Sequence, residues 1–341
     1  MVNRSGTAAA GYHQQPAGAG PARRRRRSRG KVVLTVLVVL LLLLVGLWFY
    51  VDSSLKRVTA LADYPDRPAA GAGTNWLLVG SDARDGLSEE EKAELATGSA
   101  AGHRTDTIMI MHIPDGSGNP ILVSLPRDSY VSIPGHDKNK INAAFAIGGP
   151  PLLARTVEQA TGLRMDHYVE IGFGGFANVV DDVGGVEMCL DEPMKDPKAG
   201  IDLPAGCQEL NGAQALGFVR TRAFQSGDLE RVQNQRKFLS ALLHKATSAA
   251  VLANPFRSLP LAFDLSDAIS VGDDDHLHNL AGLAFALGGG MDTATAPVGG
   301  FDQVSGAGSV VVWNQAKAKQ LFGALRDGTP VPADLVQQPA G

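Results

Sequence analysis

Apolar residues along the chain fall into one long unbroken run and then a series of short blocks. The run is Val32 to Val51, VVLTVLVVLLLLLVGLWFYV, 20 positions without a charge. As a helix rising about 1.5 Å per residue it spans about 30 Å, the thickness of a bilayer's hydrocarbon core. Arg23 to Lys31 flank it with positive charge, and Trp48, Phe49 and Tyr50 close it with aromatic rings. A basic flank inside and an aromatic belt at the far interface predict a single-pass cell-membrane anchor, with a cytoplasmic N-terminus and an extracellular body. The alternative is a cleaved signal peptide. Against it, the run exceeds the usual apolar core of roughly 7–15 residues, and no convincing A-x-A site follows closely. Residues 1–31 then form a basic cytoplasmic tail and 32–51 the anchor. Residues 52–74, with Pro65, Pro68 and an AAGAG run, form an extracytoplasmic stalk.

The shorter blocks alternate between strand and helix patterns. Trp76–Gly80 reads as a buried strand stopped by glycine, and Asp106–Ile113 as a central strand apolar on both faces. A PDGSGN turn (114–119) leads to a returning strand, Ile121–Leu125. Pro150-Pro151 open a helix that Gly162 closes. Further along come a strand at Val169–Ile171, a helix at Gly175–Val183 and a strand at Val186–Leu190. A short helix near Ala213–Gly217 and a long one from Asp228 to Ala249 follow. Helices at Asp275–Leu287 and Asn314–Leu325, with a strand at Ser309–Trp313, end the pattern. These elements predict an α/β fold, a three-layer α-β-α sandwich on a mixed central sheet, preceded by one N-terminal transmembrane helix. The main domain covers 75–249, and 250–341 is an extension of it.

Charge changes the picture more than composition does. The chain is 44% hydrophobic and 19% charged, as a folded protein is. Its net charge of −4 hides a division: residues 1–31 hold eight of the 31 Lys and Arg and no acid. The rest has 23 basic against 35 acidic residues, a net of −12, which excludes a general nucleic-acid binder. Two cysteines exclude a Cys-based zinc module. Cys189 and Cys207 lie in the exported body on either side of a Pro/Lys/Gly-containing excursion. In an oxidising compartment they are expected to form a disulfide contributing about 3 kcal/mol. Neither a Gly-x-Ser-x-Gly elbow nor a His-Glu-x-x-His motif occurs. GFGG at 172–175 lacks the Lys-Ser/Thr of a phosphate loop, and His276 with His278 reads as an exposed helix start.

Five charged segments do not fit a bland fold. Gly80-Ser81-Asp82-Ala83-Arg84 follows a buried strand, and Arg104-Thr105-Asp106 enters the most apolar one. Pro126-Arg127-Asp128 follows the returning strand. In Arg220-Thr221-Arg222 both guanidiniums share one side if the backbone is extended. In the long helix Asp228, Arg231 and Gln235 lie on the same face as Leu239, Leu242, Leu243 and Ala246. Each alone reads as an ion pair or solvated loop. Jointly, arginine forks suit phosphate oxygens and an aspartate pair suits Mg²⁺, which describes a site for a pyrophosphate.

The segments WLLVGSDAR (76–84), HRTDTIMIM (103–111), VSLPRDSYVSI (123–133), KINAAF (140–145), VVDDVGGV (179–186), LNGAQALGFVRTR (210–222) and DLERVQNQ (228–235) occur in order. Together they resemble the LytR–CpsA–Psr family of bacterial cell-envelope phosphotransferases, in an actinobacterial-like composition. The resemblance implies an enzyme moving a glycopolymer from a polyprenyl-pyrophosphate carrier onto peptidoglycan, with release of polyprenyl phosphate. It implies that Asp82 and Asp106 hold Mg²⁺ and that Arg127, Arg220, Arg222, Arg231 and Gln235 grip the pyrophosphate. Asp228, Arg84, Arg104, Lys140 and Asn142 occupy motif positions near that site. Members often have Arg where this chain has Asn234, with Arg236 nearby as a replacement. Leu152, Leu153, Val157, Phe176, Val179, Val180, Leu239 and Leu243 either line a tunnel for the lipid or form ordinary core. The competing functions are a lipid-pyrophosphate hydrolase and a non-catalytic envelope sensor or transcription attenuator that binds isoprenoid phosphates.

Overall fold

A seven-stranded mixed sheet with helices on both faces carries the computed structural model, which describes residues 27–82, 88–95, 105–116, 118–221, 228–288 and 290–336. The chain opens with helix α1 (Arg27–Ser54), of which Gly30–Ser54 is long and apolar enough to cross a membrane. Then come β1 (Lys56–Val58), β2 (Thr74–Ser81), α2 (Glu89–Glu94), β3 (Thr105–Ile113), β4 (Ile121–Leu125), β5 (Tyr130–Val131) and β6 (Asn139–Lys140). Helix α3 (Ile141–Thr161), β7 (His167–Ile171) and α4 (Phe173–Asp182) follow. Two ribbons come next, built from β8 (Val186–Leu190), β9 (Met194–Asp196), β10 (Ile201–Leu203) and β11 (Gly206–Leu210). The helices α5 (Gly212–Arg220), α6 (Asp228–Ala246), α7 (Ala249–Leu252) and α8 (Pro255–Ala268) lead to β12 (Ile269–Gly272). The last elements are α9 (Leu277–Gly288), β13 (Asp292–Thr295), β14 (Val298–Val304), β15 (Gly308–Trp313) and α10 (Gln315–Asp327).

The sheet order is β1-β12-β7-β2-β3-β4-β13. β2 runs parallel to β7, β4 to β13 and β1 to β12, while β3 is antiparallel to both its neighbours. Alternation along the central strands explains the two apolar faces. Leu77, Val79, Ile108 and Ile110 pack with Leu153 and Val157 of α3 and Leu321 and Phe322 of α10. Trp76, Met109 and Met111 face the other way, against Leu239 and Leu243 of α6 and Leu280 and Leu283 of α9. The three-layer α-β-α expectation is met. Of the eight residues weighed as a tunnel lining, Leu153, Val157, Val179 and Val180 are buried core, and Leu152, Phe176, Leu239 and Leu243 pack against core clusters. Beyond residue 250, β12 and β13 are strands of this same sheet.

Four local expectations change. Residues 52–74, read as a stalk, include the edge strand β1 and the buried Ala60. Arg67 there donates from Nη2 to Glu158 Oε1 at 3.0 Å and to the Met165 carbonyl at 3.0 Å. Proline and glycine remove regular structure from such a segment but do not keep it in solvent. Helix α3 begins at Ile141 and kinks at Gly148-Gly149, where Gly149 has φ 65°, before Pro150 restarts it; Gly162 closes it at φ 72° as expected. Helix α5 continues three residues past Gly217 to Arg220. Gly217 is there because a Cβ would meet the Ile201 side chain at 2.2 Å, so it marks a close approach and not a stop. Arg220 therefore sits in a helix's last turn, which replaces the extended Arg220-Thr221-Arg222 reading. Helix α6 ends at Ala246 instead of 249.

Cys189 and Cys207 face each other in the β8–β11 ribbon and form the expected disulfide, with Cα atoms 3.9 Å apart. Where α4 meets α8, burial, and then the neighbouring Asp264 carboxylate, push Asp182 up to about 6. Asp182 Oδ2 is buried without a hydrogen-bond partner.

Candidate functional site

β2, β4 and β7 all finish at one end of the sheet, because β7 is parallel to β2 and β4 is reached from β2 through two antiparallel steps. That end is where open α/β sheets place ligands. Asp82 directly follows Ser81, the last residue of β2, and its side chain is partly exposed. Across from it, β3 starts with an irregular register: Gly80 pairs with Thr107 and Ser81 with Thr105. Asp106 is the extra residue of that bulge, so the two aspartates stand on adjacent strand ends. Bulges re-aim side chains, and they recur beside active sites. Thr105 holds the bulge, its Oγ1 donating to the carbonyls of Gly80 at 3.1 Å and Thr107 at 3.0 Å. Ser81 is 1% exposed, and its Oγ has no hydrogen-bond partner.

The loop after β4 is tied down by backbone bonds. Ser129 N–H donates to the Pro126 carbonyl at 2.9 Å, and Trp313 Nε1 donates to Ser129 Oγ at 2.8 Å. This fixes Arg127, whose Nε lies 3.6 Å from Asp128 Oδ2. Lys140 Nζ pairs with Asp128 Oδ1 at 2.8 Å, and Asn142 N–H donates to the Arg127 carbonyl at 3.2 Å. Arg127, Lys140 and Asn142 are thus one cluster, although 13 and 15 residues apart in sequence.

Arg220 reaches the same end from a different layer. Its Cζ lies 4.7 Å above the ring of Phe173, the first residue of α4 and two past the end of β7. Its Nη1 donates to the Leu95 carbonyl at 3.1 Å. A guanidinium over an aromatic face is held in a defined plane while keeping its charge. Sequence reasoning missed Phe173; the GFGG turn was the only signal, and it was read as a turn. Helix α6 packs through Phe238 on Phe176 of α4 and Phe218 of α5, at ring distances of 5.5 and 6.2 Å. Asp228, Arg231 and Gln235 lie in its first two turns, where the backbone alone is described, as for Asp106. Arg84, Arg104 and Arg222 lie outside the described residues.

A strand-end group of carboxylates, arginines and a lysine on separate elements can grip a multiply charged oxyanion. The family model of the LytR_cpsA_psr family matches residues 54–323. The chain belongs to the LytR–CpsA–Psr family. Over 283 residues, 83% of this chain and 67% of the relative, it is 54% identical to the probable cell wall biosynthesis protein LcpB of Corynebacterium glutamicum. It is 35% identical over 181 residues to the polyisoprenyl-teichoic acid–peptidoglycan teichoic acid transferase TagU of Oceanobacillus iheyensis. That match takes in 51% of this chain, which spans about half of TagU's length, 52%. Among solved structures, TagT bound to LI-WTA superposes with a TM-score of 0.57 at 25% identity, covering 74% of this chain and 89% of TagT. The LytR–CpsA–Psr match begins at the last residue of α1 and runs into α10, so β12 and β13 fall inside it.

Proposed function

We propose that this LytR–CpsA–Psr protein is a membrane-anchored phosphotransferase. It attaches a glycopolymer from a polyprenyl-pyrophosphate carrier to peptidoglycan and releases polyprenyl phosphate. The observation that carries the reading is the placement of Asp82, Asp106 and Arg127 at adjacent ends of β2, β3 and β4, with Arg220 seated over Phe173 beside them. The names of TagU and of the TagT complex support it, since both concern lipid-linked wall polymers. The anchor is α1, with the N-terminus cytoplasmic and the catalytic domain extracellular; the arginines before it and the aromatic belt after it support that orientation.

The donor set fits Mg²⁺: Asp82 and Asp106 offer hard carboxylate oxygens on neighbouring strand ends. Bound there, the ion would neutralise charge on the pyrophosphate. Arg127 and Arg220 would hold pyrophosphate oxygens by paired N–H donors, with Arg222, Arg231 and Gln235 completing the grip. Arg84, Arg104, Lys140, Asn142 and Asp228 would shape the rim. A sugar hydroxyl of peptidoglycan attacks the phosphorus that carries the glycopolymer. The bond from that phosphorus to the bridging oxygen breaks, and polyprenyl phosphate leaves with the electron pair. The hydroxyl proton passes to a carboxylate, Asp82 or Asp106. Catalysis in such a transfer is positioning and charge stabilisation.

The test uses the full chain in lipid vesicles with Mg²⁺, a lipid-linked glycan and peptidoglycan fragments, and reads release of polyprenyl phosphate. Asp82→Asn should depress release and metal dependence together, while Lys317→Ala on α10 should change neither. Release that needs no peptidoglycan would make the protein a hydrolase. Lipid binding without release under any acceptor would make it a sensor.

A further inference from the structure

The exit of α1 is covered by two helices that leave apolar side chains uncovered. Tyr50 meets Phe263 of α8 edge-on, with ring centroids 6.0 Å apart, and Ser54 Oγ donates to Ser266 Oγ at 3.0 Å. Asp52 accepts from the Leu277 N–H that opens α9, at 2.7 Å. Helix α8 has two faces. Leu261 and Leu265 pack into the cluster shared with α4. The opposite stripe is Phe256, Leu259, Pro260 and Phe263, at helical spacing. Phe256 is 89% exposed, and Leu252, just before α8, is 58% exposed.

Two of the charged residues of α8 are turned away from that stripe. Arg257 Nη1 donates to the Val183 carbonyl at 3.2 Å, and Asp264 lies beside Asp182 of α4. Asp267, at the far end of the helix, is exposed, and Lys56 Nζ donates to its carbonyl; together they make a polar rim. The stripe is therefore apolar along its length and continuous, through Phe263, with Tyr50 of the aromatic belt.

We infer that α8 lies in the membrane interface, with Phe256, Leu259 and Phe263 at the boundary of headgroups and acyl chains in the leaflet that receives Trp48 to Tyr50. This rests on the reading of α1 as a membrane span. The chemistry is that of an interfacial amphipathic helix, whose binding follows buried apolar area. Aromatic rings at the same depth as an existing belt are its natural anchors. The exported domain then touches the bilayer at a second place besides its span.

The experiment places one additional cysteine at position 49, 256 or 303 of the full chain, leaving the native disulfide intact, and attaches a bimane label. Each variant is reconstituted in phosphatidylcholine–phosphatidylglycerol vesicles with or without lipids doxyl-labelled high on the acyl chain. Labels at 49 and 256 should be quenched about threefold or more beyond the label at 303, an exposed position on β14. Quenching at 49 with none at 256 overturns the docking and leaves the anchor standing. No quenching at either overturns the anchor, and the docking with it. Energy transfer between 256 labels on separate chains, without lipid quenching, would seat a second copy on the stripe and overturn the proposal.

Discussion

Where β7 begins, Asn75, His112, Asp166 and Asp275 direct their polar atoms at one another and at backbone; where β2 and β4 finish, Asp82, Arg127 and Lys140 gather at element ends. At the first end Asn75 N–H donates to Asp166 Oδ2 at 2.8 Å, and Asn75 Nδ2 to the Arg164 carbonyl at 2.9 Å. His112 Nδ1 meets Asn75 Oδ1 at 2.8 Å, and burial holds the imidazole below its usual range, so it stays neutral and donates. Asp275 Oδ2 accepts from the N–H groups of Tyr168 and Gly272, both at 3.0 Å, while Oδ1 pairs with His167, whose ring stacks on Trp76. Arg67 and Glu158 join this end through the Met165 carbonyl and N–H. Asn75, His112, Asp275 and Glu158 are buried and held by fixed protein partners, while Asp166 stays exposed. At the other end Arg127 and Lys140 share Asp128, and Arg220 donates to the Leu95 carbonyl from the last turn of α5. The same residue types serve cohesion at the first end and, on the proposed function, recognition at the other, where Asp82, Arg127 and Lys140 are partly exposed.

The sharpest break of this contrast is Arg67→Ala. The Arg67 and Glu158 side chains are 8% and 2% exposed, so removing one leaves a buried charge uncompensated. Urea denaturation should register a loss of about 3–5 kcal/mol. A loss under about 1 kcal/mol would dissolve the distinction between the ends. Arg220→Lys tests the opposite end: it keeps the charge and loses the planar fork, so transfer should fall about a hundredfold with the urea midpoint unchanged. A shifted midpoint with transfer intact would move Arg220 to the cohesive class. Asp275→Asn should cost about 1–2 kcal/mol in the same denaturation assay, because an amide keeps one acceptor for two N–H groups but loses the charge.

The smallest effect is a gain. Asp182 is raised to about 6 from the ordinary aspartate value of 3.8, so the folded state holds its proton more tightly than the unfolded chain does. Its favourable contribution is full below pH 3.8 and is lost as pH rises through about 6. Ionised beside Asp264, it becomes a penalty. Asp182→Asn should stabilise the protein by on the order of 1 kcal/mol at pH 7.5, after allowance for partial exposure, and leave it little changed at pH 4. Equal gains at both pH values would point to a packing effect instead.

What could be read in advance depended on how far the cause lay from its effect. The central strands were legible because each carries its own two-sided apolar pattern, as in Ile108 to Met111. The close of α3 at Gly162 was legible because a left-handed cap asks for glycine. The bulge at Asp106 was not, since it exists only relative to β2. Arg67 gave no sign of its partner Glu158, 91 residues away. The end of α5 was not legible, because a glycine such as Gly217 can end a helix or make room for a neighbour, and only the position of Ile201 decides between them. Among the site residues, Asp82 and Arg127 were visible as charges after apolar strands. Arg220 was singled out in an extended backbone that is a helix end, and the Phe173 ring beneath it gave no sign in the sequence.

A single residue, Leu55, separates the end of α1 from the first strand of the sheet, and it is 6% exposed. No loop of any length joins the helix to the strand. A catalyst hung on a long tether searches a volume for its acceptor; if the proposed transfer holds, this chain has one residue of tether to search with, and its acceptor sugars would have to come to it.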